Sequence, residues 1–476
     1  MMELLSFAHC RRATSQGGEQ TLARNVREYA AASAARKTAI SGADALTPVW
    51  AHVLDIELSG PVAGLQRTTV DGRYADRAWA LVRLFGEPLG LDVLEIPAAG
   101  LSSEAVAELV LDRRLPRVGQ VLGIDGSEVR RDTLRAAART MGGTAFSRAH
   151  DEFIARAPRC SVVVCTRDRP DDLRRCLTSL AIQDHPNFAV WVVDNAPASG
   201  LTRQIVESLD TDLEIHYVAE PRPGLSRARN KALKSNLEGD VVAWLDDDEV
   251  ADSLWLTELT RAFDGRSAVV AASGVVVPAE LNTQAQVWFE QFGGHSKGRG
   301  FTADWFTPFN RGRQHPLYPL PPFGVGANMA VRTEALHLLG GFDEALGAGT
   351  PAQGCEDTKM FTGLLRAGGT VAYWPSAVTR HFHRRDLDGL RRQMRGYGSG
   401  LTAFYTASVL DRPSTAVDLI RLAPRALRDL YSSDSLRVAT LEDDFPRDLL
   451  AENRRGLLAG PWLYLRGRFH NWHTDR

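Results

Sequence analysis

The sequence predicts an α/β protein whose mostly parallel, Rossmann-like sheet is flanked by helices, and three observations carry that expectation. From Cys160 onward, short apolar runs alternate with helical stretches at the spacing of right-handed crossovers. Each run ends in a polar loop, so the loops fall on one rim of the sheet, where open α/β folds bind ligands. The run Val241-Val242-Ala243-Trp244-Leu245 suits a buried parallel strand and stops abruptly at Asp246, Asp247 and Asp248. Two unit charges about 4 Å apart repel by roughly 4 kcal/mol at an effective dielectric near 20. A hard divalent cation is the natural candidate to offset that repulsion. The plainer alternative is that Asp248 caps a following helix, with Glu249 at its positive end.

The elements follow in order along 476 residues. Residues 1–45 are rich in Ala, Ser, Arg and Gly and predict frayed helix or disorder. Residues 46–157 predict a small β-rich or mixed module: strand-like runs at 50–58, 78–90 and 91–96, then connecting helices over 117–158. An α/β domain is expected over 158–400. Within it, strands at 161–165, 188–193, 215–218 and 241–245 alternate with helices near 170–182, 202–209 and 227–237. Residues 267–279 read as two short strands around Gly274. Residues 401–476 predict a helical extension of alternating apolar and basic stretches.

Composition excludes several classes of function. Lys plus Arg (56) nearly balance Asp plus Glu (58), so no overall field favours nucleic acid. Five cysteines without a C-x-x-C pair argue against a zinc site and fit a reducing compartment. No apolar run reaches the roughly 20 residues of a membrane helix, so a soluble, cytoplasmic protein is expected. Neither G-x-G-x-x-G nor a P-loop follows the first strand of the α/β domain.

The ordered set Ser161-Val162-Val163-Val164-Cys165-Thr166-Arg167, Val192-Val193-Asp194-Asn195, Gly224 to Asn230, Leu245 to Asp248, Gly326-Ala327-Asn328-Met329, Gly340-Gly341-Phe342-Asp343 and Gly354-Cys355-Glu356-Asp357 resembles the family 2 glycosyltransferases. The resemblance implies a GT-A-type fold and an inverting, metal-dependent transfer from a nucleotide-diphosphate sugar to a hydroxyl acceptor, with Mn²⁺ or Mg²⁺ as cofactor. By resemblance, Thr166, Arg167 and Asp194 hold the base and ribose, while Arg227, Arg229 and Asn230 lie beside the nucleotide at a helix amino end. Asp246 and Asp248 match the D-x-D pair that binds ribose and metal, with Asp247 nearby. Asp357 is the expected general base, with Glu356 in support. His381 and His383, which strand alternation puts on one face, are the further metal candidates. Helix capping for Glu356 and Asp357, and phosphate gripping for His383-Arg384-Arg385, stay open as alternatives.

The aromatics Trp288, Phe289, Phe292, Trp305, Phe306, Phe309 and Tyr318 suggest an acceptor loop, and 293–300 a Gly-rich lid. A basic amphipathic stretch at 419–427 suits either packing on the catalytic domain or peripheral contact with the inner face of a membrane, near a lipid-linked glycan acceptor. Single-sugar transfer in cell-wall or polysaccharide biosynthesis is the expected role. A nucleotidyltransferase acting on sugar phosphates and a non-catalytic sugar-binding protein are the rival readings, and self-association is left open.

Overall fold

The computed structural model describes residues 50–68, 74–140, 143–296, 298–308, 317, 323–431, 441 and 444–474. Residues 1–45, together with Phe309 and Tyr318 of the aromatic loop, lie outside the described residues.

Strands β1 (Trp50–Glu57), β2 (Ala75–Leu84) and β3 (Glu87–Glu95) form a sheet in that order, parallel between β1 and β2 and antiparallel between β2 and β3. The run 78–90, expected as one strand, is two. Phe85 and Gly86 turn the chain at φ +50° and +81°, the positive-φ pair of a tight hairpin. Helix Ser103–Leu122, begun by the Ser102 cap, starts earlier than the expected 117 and lays Val106, Val110 and Val118 on Ile56, Ala78 and Leu94. Each such burial contributes roughly 1.5–3 kcal/mol.

The opposite face of this small sheet packs against residues of the large sheet and its neighbours. Leu81 meets Val275, Val277 and Tyr373, and Trp79 meets Leu281 and Val287. Arg83 pairs with Asp252 and Arg380 with Asp55 across the same boundary. Helix Ala145–Ile154 adds His150, whose Nδ1 lies 2.6 Å from Glu258 and Nε2 2.7 Å from Asp184.

The large sheet is built from β4 (Cys160–Thr166), β5 (Phe188–Asn195), β6 (Ile215–Glu220), β7 (Val241–Asp246), β8 (Glu249–Ala251), β9 (Val269–Pro278), β10 (Asp304–Phe306), β11 (Asn328–Arg332) and β12 (Thr370–His381). Among the described residues its order is β10-β12-β9-β11-β7-β4-β5-β6, with β8 paired to β12. Strands β4, β5, β6, β7, β9 and β12 run one way and β8, β10 and β11 the other, so the sheet is mostly parallel as expected. Helices Pro170–Leu180, Leu201–Ser208 and Leu225–Leu233 connect its first four strands.

Gly274 does not break β9, which runs unbroken through it. A Cβ there would stand 2.0 Å from the Ala377 carbonyl, so the glycine admits a neighbouring backbone rather than a turn. Helices Leu387–Asp411, Thr415–Tyr431 and Arg447–Thr474 complete the chain. The expected domain boundary at 400 falls inside the first of them.

Candidate active site

The carboxyl ends of β4, β5 and β7 open onto one cavity of about 1340 Å³. Thr166, Arg167, Arg229, Asp246, Asp247, Asp248, Glu356, Asp357 and His381 line it. Asp194, Arg227, Asn230 and His383 do not, and each is bound elsewhere. Asp194 is fully buried and accepts the Tyr217 hydroxyl at 2.9 Å; its neighbour Asn195 faces the cavity instead. Arg227 pairs with Glu344 at 3.1 Å. Asn230 holds the 340–344 turn through Phe342 and Glu344. Asp194, Arg227 and Asn230 thus have protein partners and do not line the cavity.

The protein itself offsets much of the repulsion among the three aspartates. Arg169 Nη1 donates to Asp247 Oδ1 at 2.9 Å and Asp248 Oδ2 at 3.0 Å, and Arg229 Nη2 reaches Asp246 Oδ1 at 3.3 Å. Thr166 spends its hydroxyl on Asp247 at 2.7 Å. Charge repulsion alone therefore does not demand a metal here, and Arg169 is a residue the sequence reading left unassigned. Burial and the charge on Asp248 push the Asp247 carboxyl pKa up. Asp248 lies well below the usual range although burial works against it, because His381, Arg169 and Arg384 face it.

Asp248 is no helix cap. The chain passes from it into β8, and the next helix, Trp255–Arg261, starts behind Leu254 with no side-chain cap. Asp246, a third exposed at its side chain, and Asp248 present carboxylate oxygens to the cavity. Such hard donors fit Mg²⁺ or Mn²⁺.

A second acidic pair opens helix Glu356–Arg366. Glu356 is buried and bonded to Arg229 Nη1 at 2.9 Å; burial and the adjacent Asp357 raise its pKa to about 7. Asp357 is half-buried and accepts the Gly326 N–H at 2.7 Å and the Thr358 N–H at 2.6 Å. A Cβ on Gly326 would come within 2.8 Å of the Asp357 Cβ, so glycine is what lets that backbone donor approach. Cys355, which leads into this helix, holds φ +64° without a cap, and Asp168, Ala196 and Gln353 on the same rim also hold positive φ. Strain of this kind gathers at functional sites.

His381 and His383 do share a face, with Nδ1 atoms 2.6 Å apart. His295, from the Gly-rich stretch, joins them: one ligand atom from each of the three lies within 4.8 Å of the others. Nothing in the sequence links His295 to histidines 86 positions later, and only the packing of helix Gln284–Gln291 against helix Leu387–Asp411 discloses it. Of the described expected aromatics, Phe292 alone lines the cavity. Phe289 is core among Leu390, Met394 and Leu449, and Phe306 packs on Phe323. The amino-terminal module supplies a wall that the sequence did not announce, made of Trp79, Leu91 and Val93.

Residues 161–340 match the family model described as Glycosyl transferase family 2. The chain is 33% identical over 221 residues to the succinoglycan biosynthesis protein ExoM of Rhizobium meliloti, spanning 45% of this chain and 63% of that one. It is 26% identical over 229 residues to a pre-mycofactocin glycosyltransferase of Mycobacterium tuberculosis, spanning 48% of this chain and 43% of that one. The chain thus covers less than two thirds of the length of either relative. Among solved structures it is similar to the mannosyltransferase PcManGT of Pyrobaculum calidifontis, at 20% identity over 67% of this chain and 96% of that one, with a TM-score of 0.43. Residues 161–340, from β4 through the Asp246–Asp248 rim and past β11, thus match the family 2 glycosyltransferase pattern.

Proposed function

We propose that this chain transfers a single sugar from a nucleotide-diphosphate sugar to a hydroxyl acceptor with inversion at the anomeric carbon. The observation that carries the reading is that Asp248 and Asp357, expected to serve donor and acceptor, open onto one cavity. Asp357 takes the acceptor proton. The freed oxygen attacks the anomeric carbon from the face opposite the diphosphate, and the bond from that carbon to the diphosphate oxygen breaks. The Gly326 amide holds Oδ2 of the base in place. Asp246 and Asp248 would hold Mg²⁺ or Mn²⁺, which supplies charge neutralisation for the departing diphosphate. Arg167 and Asn195, at the ends of β4 and β5, would meet the nucleotide, and Trp79, Gln393 and Tyr397, which also line the cavity, would meet the acceptor.

The names of the relatives support a glycan or small-molecule acceptor in a biosynthetic setting. The nucleotidyltransferase reading is the weaker one, because the chain after β4 runs Thr166-Arg167-Asp168-Arg169 straight into helix Pro170–Leu180 and offers no Gly-rich loop. Among the described residues no helix is long and apolar enough to cross a membrane. The test is a panel of nucleotide sugars with Mn²⁺ or Mg²⁺, scored by nucleotide-diphosphate release. Asp248→Ala is expected to lose cation-dependent nucleotide binding by tenfold or more in calorimetry. Unchanged binding would remove the carboxylates from the donor site.

A further inference from the structure

Beyond the aspartate rim, His295, His381 and His383 gather one ring nitrogen each within 4.8 Å of the others. His383 Nε2 lies 2.7 Å from Glu290 Oε1, and His381 Nε2 lies 3.4 Å from Asp248 Oδ1. Carboxylates accept and do not donate, so each Nε2 faces an acceptor. The two Nδ1 atoms face each other at 2.6 Å, with the His295 ring centroid 4.4 Å from that of His381. A carboxylate behind the far nitrogen of a ring is the arrangement that fixes a metal-ligating imidazole.

We propose that His295, His381 and His383 bind a divalent transition ion of the zinc class through ring nitrogens, separate from the hard cation of Asp246 and Asp248. Neutral imidazole suits zinc and its neighbours, whereas carboxylate suits magnesium and manganese. At metal–nitrogen distances of about 2.0–2.1 Å, tetrahedral ligands stand roughly 3.4 Å apart, within reach of a small rotation of these rings. The ion would pin the 293–298 stretch, whose Gly293, Gly294 and Ser296 line the cavity, to the end of β12. This inference does not depend on sugar transfer.

The test uses the full chain, free of any affinity tag and stripped with chelator, titrated with Zn²⁺ against a chromophoric competitor and with Co²⁺ by visible absorption. The wild type is expected to bind one Zn²⁺ and to give the strong d–d bands of low-coordinate cobalt. His295→Ala and, on the loop where folding is least at risk, His295→Gln are each expected to lose at least tenfold in affinity. Asp246→Ala is expected to keep zinc affinity within about twofold. No zinc uptake, or equal loss in Asp246→Ala, would overturn the site, and neither result would touch the donor-binding reading, which is scored on nucleotide.

The last helix carries a separate inference. Leu458, Trp462, Leu465, Phe469 and Trp472 are all exposed, Leu458 by 86% and Trp462 by 68%. Their spacings of four, three, four and three keep them within an arc of about 80°. Exposed Arg454, Arg455, Arg466 and Arg468 flank the stripe, and no acid occurs from Asn453 to Thr474. The opposite face, through Gly456 and Gly460, packs against helix Leu387–Asp411, so the core does not need the stripe. We infer that this face lies on an anionic lipid surface, with rings in the interface and guanidinium groups among headgroups. The helix beneath it bears Gln393 and Tyr397 on the cavity, so a lipid-linked acceptor would meet the site from that side. Flotation of the full chain with phosphatidylglycerol vesicles is expected to recover it, and phosphatidylcholine vesicles are not. Trp462→Ser with Phe469→Ser should cut recovery at least tenfold at unchanged thermal stability. Equal recovery by the variant, absence of binding, or a dimer that the same substitutions dissociate would each sink the lipid assignment.

Discussion

Two pairs of neighbouring carboxylates face the same cavity, yet their surroundings differ. Asp247 and Asp248 share Arg169, and Asp248 also faces His381 and Arg384. At the other pair, Glu356 takes the guanidinium of Arg229. Among the described residues the recorded hydrogen-bond donors to Asp357 are the Gly326 amide and the amide and hydroxyl of Thr358, with no ion pair. The same side-chain chemistry thus yields one acidic pair gripped by shared cations, and one acid, Asp357, held by neutral donors. Environment divides the labour, not residue type.

The sharpest way to break this contrast is Asp357→Asn. Turnover is expected to fall by about 10²–10⁴ while nucleotide binding changes little, because the substitution removes a base and keeps the shape. Retained transfer activity would return Asp357 to a helix-opening role. Next in size is Arg169→Met, which leaves two buried acids without their shared cation. Stability is expected to drop by about 1–3 kcal/mol, less than for a fully buried pair because Arg169 is a third exposed. Adding Asp247→Asn should restore part of the loss in denaturant unfolding, and no restoration would deny the pairing its role.

The smallest effect concerns His150, which clamps the amino-terminal module to Glu258 and Asp184. Burial disfavours its charged ring, but the two carboxylates outweigh that and raise its pKa to about 9. A raised histidine pKa stabilises the fold below the unfolded value near 6.5 and loses that contribution as pH climbs toward 9. His150→Gln is therefore expected to be less stable than wild type by about 2 kcal/mol at pH 6, with the gap narrowing by pH 9.5 in thermal melts. A gap constant with pH would mean that the clamp is uncharged.

Much of this was legible in the chain because local patterns carried it. β4, β5 and β7 were readable from their unbroken apolar runs, and the acids at 246–248 and 356–357 from where those runs and the Gly-rich stretch stop. Asp194 misled because successive residues at the end of a strand point to opposite faces, and the one step from Asp194 to Asn195 decides between Tyr217 and the cavity. Arg227 and Arg229 pose the same question on a helix, where two residues turn the side chain through about 200°. His295 and the Trp79 wall were illegible for another reason: they reach the site through long-range packing of elements with no shared motif.

Arg229 carries one positive charge and serves Asp246 on one flank of the cavity and Glu356 on the other. The two flanks are therefore not separable parts in a mutational sense. Losing either acid hands the whole guanidinium to the other, so substitutions at 246 and 356 should combine non-additively, and a double-mutant cycle across the cavity would read out that shared charge.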